Sequence, residues 1–322
     1  MPLIASRGSG SAQGLGFSVF VSAGGGDGTV GIFALGSISG VNSTTRNKYT
    51  YATCTSTATG VAAASAASSG GSAAGNSTRG IFELGFGGCA VRNKYTYASC
   101  TSTASGVASA TTYSQCGAAA GNSTRGIFQL GVATGTASTT RNKYTYASCT
   151  NTASGVGAAS AVTCGGSAAG NSTRGIFALG TSGGSGRVDT RNKYTYASCT
   201  STACGVGVAS GSSSNGSAAG NSTRGIFALG VVAGVGHSTT RNKYTYACCT
   251  STASGVAVSS AVAFRASSTG NSTRGIFALG NGNTTRNKYT YACCTSTASG
   301  VAVSSASSEF GSAASWATCV NS

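Results

Sequence analysis

The hexapeptide Arg-Asn-Lys-Tyr-Thr-Tyr occurs six times in this chain, beginning at Arg46, Arg92, Arg141, Arg191, Arg241 and Arg286, at intervals of 46, 49, 50, 50 and 45 residues. A second motif, Gly-Ile-Phe-x-Leu-Gly, keeps the same period, with its phenylalanines at Phe33, Phe82, Phe128, Phe177, Phe227 and Phe277. Two motifs held in fixed phase mean one supersecondary unit copied six times, and such units bury their apolar faces only by stacking on one another. The 322 residues therefore form one expected domain, 1–322, with repeats at about 17–65, 66–111, 112–160, 161–210, 211–260 and 261–305, and a partial terminal repeat or closure strand at 306–322. The 51 glycines would suit a flexible tract, but periodic aromatics argue for a packed fold.

In the copy at 166–210, Gly-Ser-Ala-Ala-Gly leads through Asn171-Ser172-Thr173-Arg174 into Gly175-Ile176-Phe177-Ala178-Leu179-Gly180. The polar triplet between two short apolar runs is hairpin-turn chemistry. Alternation puts Phe177 and Leu179 on one face and Ile176 and Ala178 on the other, so this strand is covered on both sides. After a variable segment, Tyr194 and Tyr196 alternate with Lys193 and Thr195, which predicts a third strand less buried than the second. Ser-Thr-Ala-x-Gly-Val predicts a weak fourth. Gly, Ser and Thr dominate, and no apolar pattern holds a 3.6-residue period, so helix contributes little.

Four-stranded units of this length are the size of propeller blades. The expected fold is an all-β β-propeller of four-stranded antiparallel blades, six in number, with seven including a partial terminal blade as the alternative. Phe17–Ser22 would supply the first strand of the first blade, and Gly311–Val320 would pair with the N-terminal segment to close the ring. Closure removes exposed strand edges, which otherwise invite aggregation.

Gly-Ile-Phe-Ala-Leu-Gly at 175–180 and Lys-Tyr-Thr-Tyr at 193–196, with their sister copies, resemble the kelch repeat family. In that family an apolar strand ending in glycine is followed, after a variable loop, by a strand carrying a tyrosine. The resemblance spans about residues 17–305 and implies a propeller. Kelch-type propellers include a copper enzyme, galactose oxidase, whose site combines tyrosines, a cysteine and two histidines. His237 is the only histidine here, so that chemistry is excluded.

Twenty Lys and Arg against four Asp and Glu give a net charge of +16, and 17 of the 20 basic residues lie in the repeat. Successive turns of a meander lie at opposite ends. Arg79, Arg125, Arg174, Arg224 and Arg274 of the Asn-Ser-Thr-Arg turns are thus expected on one face, and Arg46, Arg92, Arg141, Arg191, Arg241 and Arg286 on the other. Two cationic rings would attract anionic glycans or nucleic acid backbones. The competing reading is that each arginine stacks on a repeat tyrosine or donates to loop carbonyls, a feature that repetition copies without selecting a ligand.

The acids Asp27, Glu83, Asp189 and Glu309 fall in different repeat contexts, so paired-carboxylate catalysis is not expected, and no catalytic, cofactor or metal residue is assigned. Six of the 13 cysteines, Cys54, Cys100, Cys149, Cys199, Cys249 and Cys294, share one phase of the repeat. On neighbouring blades they would stand about 10 Å apart, too far to bridge. Cys199 and Cys204 could approach across a hairpin, and Cys116 or Cys164 could meet a neighbour that the pattern does not identify. No Cys-x2-Cys pair suggests a metal. The five Asn-Ser-Thr triplets match a glycosylation acceptor, although turn chemistry explains them without sugar.

No apolar run reaches the roughly 20 residues of a membrane helix, and the start shows no classical secretion signal. The expected function is a non-enzymatic binding or structural scaffold, on an exported or surface-exposed protein. Loops such as Thr181–Val188 and Val231–His237 would choose a protein partner, and self-association through the near-identical repeats is a further expectation. The alternatives are a polyanion binder and, less in keeping with the scattered acids, a glycan-active enzyme.

Overall fold

The computed structural model describes residues 29–87, 89–182, 186–280, 282–309 and 311–315. Among them no helix occurs, and none is therefore long and apolar enough to cross a membrane. The described residues form six four-stranded antiparallel sheets. The fourth sheet shows the plan: Ser167–Gly170, Arg174–Ala178, Arg191–Thr195 and Thr200–Thr202, hydrogen-bonded in that order. The fourth strand is confined to Thr-Ser-Thr, because the following Ala-x-Gly forms a turn in which Gly205 takes a φ of 67°.

The first sheet departs from this plan in one respect. Its strands Val30–Ala34, Arg46–Thr50 and Thr55–Thr57 are completed by Ser312–Ser315, which pairs antiparallel with Val30–Ala34 from Gly31 opposite Ser315 to Ala34 opposite Ser312. The terminal segment thus joins the first sheet instead of beginning another. Phe17–Ser22 lies outside the described residues, and the position expected for it beside Val30–Ala34 is held by this C-terminal strand.

The first strands neighbour one another in an unbroken cycle. Ser72–Gly75 contacts Ala118–Gly121, and contacts continue through Ser167–Gly170, Ser217–Gly220, Ser267–Gly270 and Ser312–Ser315 back to Ser72–Gly75. The six strands surround a common axis, along which cavities of about 40, 80 and 60 Å³ follow one another, the latter two lined almost wholly by Gly, Ala and Ser and the first also by Cys116, Asn215 and Arg265. Only small residues fit where six strands converge.

Successive sheets pack face to face through apolar seams. Between the fourth and fifth sheets, Ile176 and Val206 meet Phe227, Tyr244 and Tyr246, and the other seams repeat the set. The expected two-faced burial of the second strand is therefore met by two neighbours, Phe177 packing towards the third sheet and Ile176 towards the fifth. Gly175 is dictated by this closeness: a Cβ there would lie 2.9 Å from Tyr196 Oη and 3.1 Å from Ala120 Cβ of the third sheet. The third strand, expected to be less buried, is as enclosed as the second at Arg191, Asn192 and Tyr194.

Candidate binding face

The antiparallel plan gives the molecule two ends. At the turn end lie the Asn-Ser-Thr turns and the Tyr-Ala-x-Cys turns between third and fourth strands. At the loop end lie the variable second-to-third connections and the approach to each first strand.

Arg46, Arg92, Arg141, Arg191, Arg241 and Arg286 start at the loop end but do not face solvent; each is 0 or 1% exposed. Each side chain turns into the seam with the next sheet. Arg191 lies 4.5 Å over the Phe227 ring and 5.9 Å from the Tyr244 centroid, donates through Nη2 to Asn242 Oδ1 at 3.1 Å, and through Nη1 to Ser251 Oγ and the carbonyls of Gly207 and Val208. The other five repeat the cation-π geometry. Such enclosed guanidiniums cannot meet a polymer from solvent, and the ring of exposed anion-binding groups expected from this motif is corrected accordingly. Burial lowers the guanidinium pKa of Arg46, Arg191, Arg241 and Arg286 to about 10 and of Arg141 to about 9, so all stay charged at neutral pH.

Arg79, Arg125, Arg174, Arg224 and Arg274 are half-buried at the turn end. Each Nη1 donates to a tyrosine carbonyl of the next sheet, as Arg174 does to Tyr246 at 2.9 Å, and lies near a repeat cysteine, with Cys249 Sγ at 3.7 Å. Cys249 in turn donates to the Tyr246 carbonyl from a backbone φ of 57°. One nitrogen is thus structural, and the rest of the guanidinium borders solvent. Asn171 closes its own turn by accepting from Thr173 and Arg174, and donates to the Ser222 carbonyl of the next sheet.

The loop end carries the side chains that do not repeat. Four backbone hydrogen bonds linking five residues step round the axis there: Cys116 to Gly70 with its own N–H, then Gly165 to Cys116, Asn215 to Gly165 and Arg265 to Asn215. All five residues have positive φ, between 56° and 67°. Around this rim Arg265 pairs with Glu309 at 2.7 Å and lies over Phe264, on whose ring His237 stacks at 4.6 Å. Tyr113 donates to Gln115, and Arg187 to Ser214. Val41, Phe86 and Val235 stand more than half exposed on the connecting hairpins. The expected partner loops fall here as well: Thr181–Ser182 pairs with Gly186–Arg187, and Val231–Val232 with Gly236–His237.

The acids do not gather. Glu83 is enclosed in the seam after the second sheet, where its Oε2 accepts from Arg92 Nη2 at 2.6 Å and its Oε1 from the Ser114 hydroxyl. Glu309 is taken by Arg265, Asp189 stands near Arg191, and Asp27 lies outside the described residues. Among the described residues no three His, Cys, Asp or Glu side chains group as metal ligands, and Cys199 and Cys204 are free thiols.

The rim was not singled out from sequence because its signal is a departure from the repeat. The two residues that follow one another before each first strand read Ser-Gly, Gln-Cys, Cys-Gly, Ser-Asn, Phe-Arg and Glu-Phe in the six copies. Alignment in that column exposes a residue pair that differs in every copy. No protein-family model matches the chain, and no curated protein does so either.

Proposed function

We propose that the chain is a kelch-like, six-bladed β-propeller that serves as a non-enzymatic scaffold and docks a protein partner on its loop end. The cycle of first strands and the C-terminal strand beside Val30–Ala34 support the closed six-bladed reading. The observation that carries the functional reading is the division of side chains. Residues that build the seams recur in every copy, whereas Phe86, His237, Phe264, Arg265 and Glu309 occur once each and share one end. A surface with mixed aromatic, apolar and charged groups on rigid supports has the character of a protein-binding patch. The test compares capture of surface-associated proteins by the wild-type chain with capture by two variants. A loop-end variant carrying Phe86→Ser, Val235→Ser and Arg265→Ala is expected to lose the captured partner while unfolding at the same temperature. Equal capture by that variant overturns the assignment.

A second reading, binding of an anionic polymer, is favoured at the turn end by five half-buried arginines with no carboxylate beside them among the described residues. Retention on heparin that falls steeply as salt rises, and that Arg174→Ala with Arg224→Ala weakens, supports it. Retention indifferent to salt or to those substitutions removes it.

A further inference from the structure

The rim brings together two cysteines that no repeat pattern pairs. Cys116 ends one copy's approach to its first strand, and Cys164 stands one position earlier in the next copy. The peptide following Cys164 donates to the Cys116 carbonyl through Gly165 N–H at 2.9 Å. The Thr181 hydroxyl donates to the Cys164 carbonyl at 2.9 Å, and the two thiols shift each other's protonation, Cys164 downward and Cys116 upward.

The same step of the rim elsewhere measures how close the side chains come. Arg265 and Glu309 occupy these two positions in the sixth and first sheets and meet as an ion pair. Gly70 and Gln115 occupy them in the second and third, where a Cβ built on Gly70 would lie 3.8 Å from the Gln115 Cβ. Gly70 and Cys116 share the positive φ, 67° and 57°, and the same rim hydrogen bond. A Cβ separation of about 3.8 Å is the mean value for disulfides.

The geometry points to Cys116 and Cys164 as a disulfide-forming pair that staples the third sheet to the fourth at the mouth of the axis, through exchange with a small-molecule disulfide such as oxidised glutathione. Cys164 is the attacking group, because the neighbouring Cys116 thiol pushes its pKa down to about 7, while that of Cys116 is pushed up by the same neighbour and by burial. The Cys164 thiolate forms a bond to one glutathione sulfur, the glutathione disulfide breaks, and one glutathione leaves as thiolate and takes a proton. Cys116 then gives up its proton and attacks the Cys164 sulfur of the mixed disulfide, releasing the second glutathione. Two protein thiols are oxidised and one glutathione disulfide is reduced to two thiols. Both cysteines are half-buried at the rim of a cavity of about 40 Å³ whose lining includes Cys116 and Arg265.

The experiment exposes the folded, fully reduced wild-type chain to oxidised glutathione, blocks remaining thiols with iodoacetamide, and maps tryptic peptides without reduction. The expected product links the peptide 95–125 to the peptide 144–174, with fragmentation placing the bond between Cys116 and Cys164 and not between Cys100 and Cys149. Its formation should raise the melting temperature by roughly 5 °C or more, a shift absent from Cys116→Ser and Cys164→Ser. Alkylation of both cysteines, or a stable single glutathione adduct on either without the cross-link, overturns the proposal. Because the mapping is done on the wild-type chain, it stands whether or not the serine variants fold.

Discussion

Two rings of arginine run through this molecule and do different work. Arg191 and its five counterparts are enclosed in the seams, stacked on Phe and Tyr of the next sheet and held by its Asn. Arg174 and its four counterparts are half in solvent and held by a tyrosine carbonyl and a cysteine sulfur of the next sheet. Identical chemistry repeated with identical period becomes mortar in one case and surface in the other. Repetition therefore identifies what every sheet needs, and only the depth of the side chain tells which need it is.

The seam should separate from the surface most sharply in alkali. Burial raises the phenol pKa of Tyr194, Tyr244 and Tyr289 above the ordinary value near 10. Below that value the tyrosines are neutral whether folded or unfolded, and their contribution is fully present. Above it the unfolded chain loses protons that the folded chain retains, so stability falls as pH rises. The lowered guanidinium values act in the opposite sense from about pH 9 upward, but on five groups against nine tyrosines whose values burial raises. Tyrosinate absorbance should then rise in one cooperative step together with loss of the strand circular dichroism signal. Gradual ionisation near pH 10 with the fold intact would show that the seams are wet.

Arg191→Ala comes next in size. It strips Asn242, Ser251 and two carbonyls of a buried cationic donor and should cost about 3 kcal/mol in denaturant unfolding. A loss under 1 kcal/mol would place this ring on the same footing as the outer one. Ala178→Gln tests the seam in the stabilising direction. In the third sheet Gln129 Oε1 accepts from Arg141 Nε and Nη2 at 3.1 and 2.8 Å, and Glu83 serves Arg92 in the second. Where Ala178 stands instead, Arg191 Nε has no partner within the protein, beside a cavity of about 10 Å³ lined also by Ser213. The new amide should add about 1 kcal/mol and raise the melting temperature by about 2 °C. Arg174→Ala should change stability least, by about 1 kcal/mol or less, while lowering salt-sensitive retention on heparin. A larger stability loss than for Arg191→Ala would reverse the comparison.

Much of the fold was legible because each strand declares itself locally. Ile176 and Phe177 alternate, Asn171 turns the chain, and the period counts the units. The destination of Arg191 was not legible, since a cation beside Asn and Lys looks solvated until another sheet lays Phe227 against it. The rim was hidden for a related reason: Cys116 and Cys164 lie in different repeats and one register position apart, so no spacing rule joins them. Arg265 and Glu309 are separated in the same way.

The sequence by itself determined the repeating unit, its strands and turns, and the number of copies, because backbone hydrogen bonding and side-chain alternation are short-range. Only the tertiary structure decided which cations are interior, that Ser312–Ser315 completes the first sheet, and which unrepeated side chains share the loop end. Those outcomes depend on contacts between copies, where distance in the chain says nothing about distance in space.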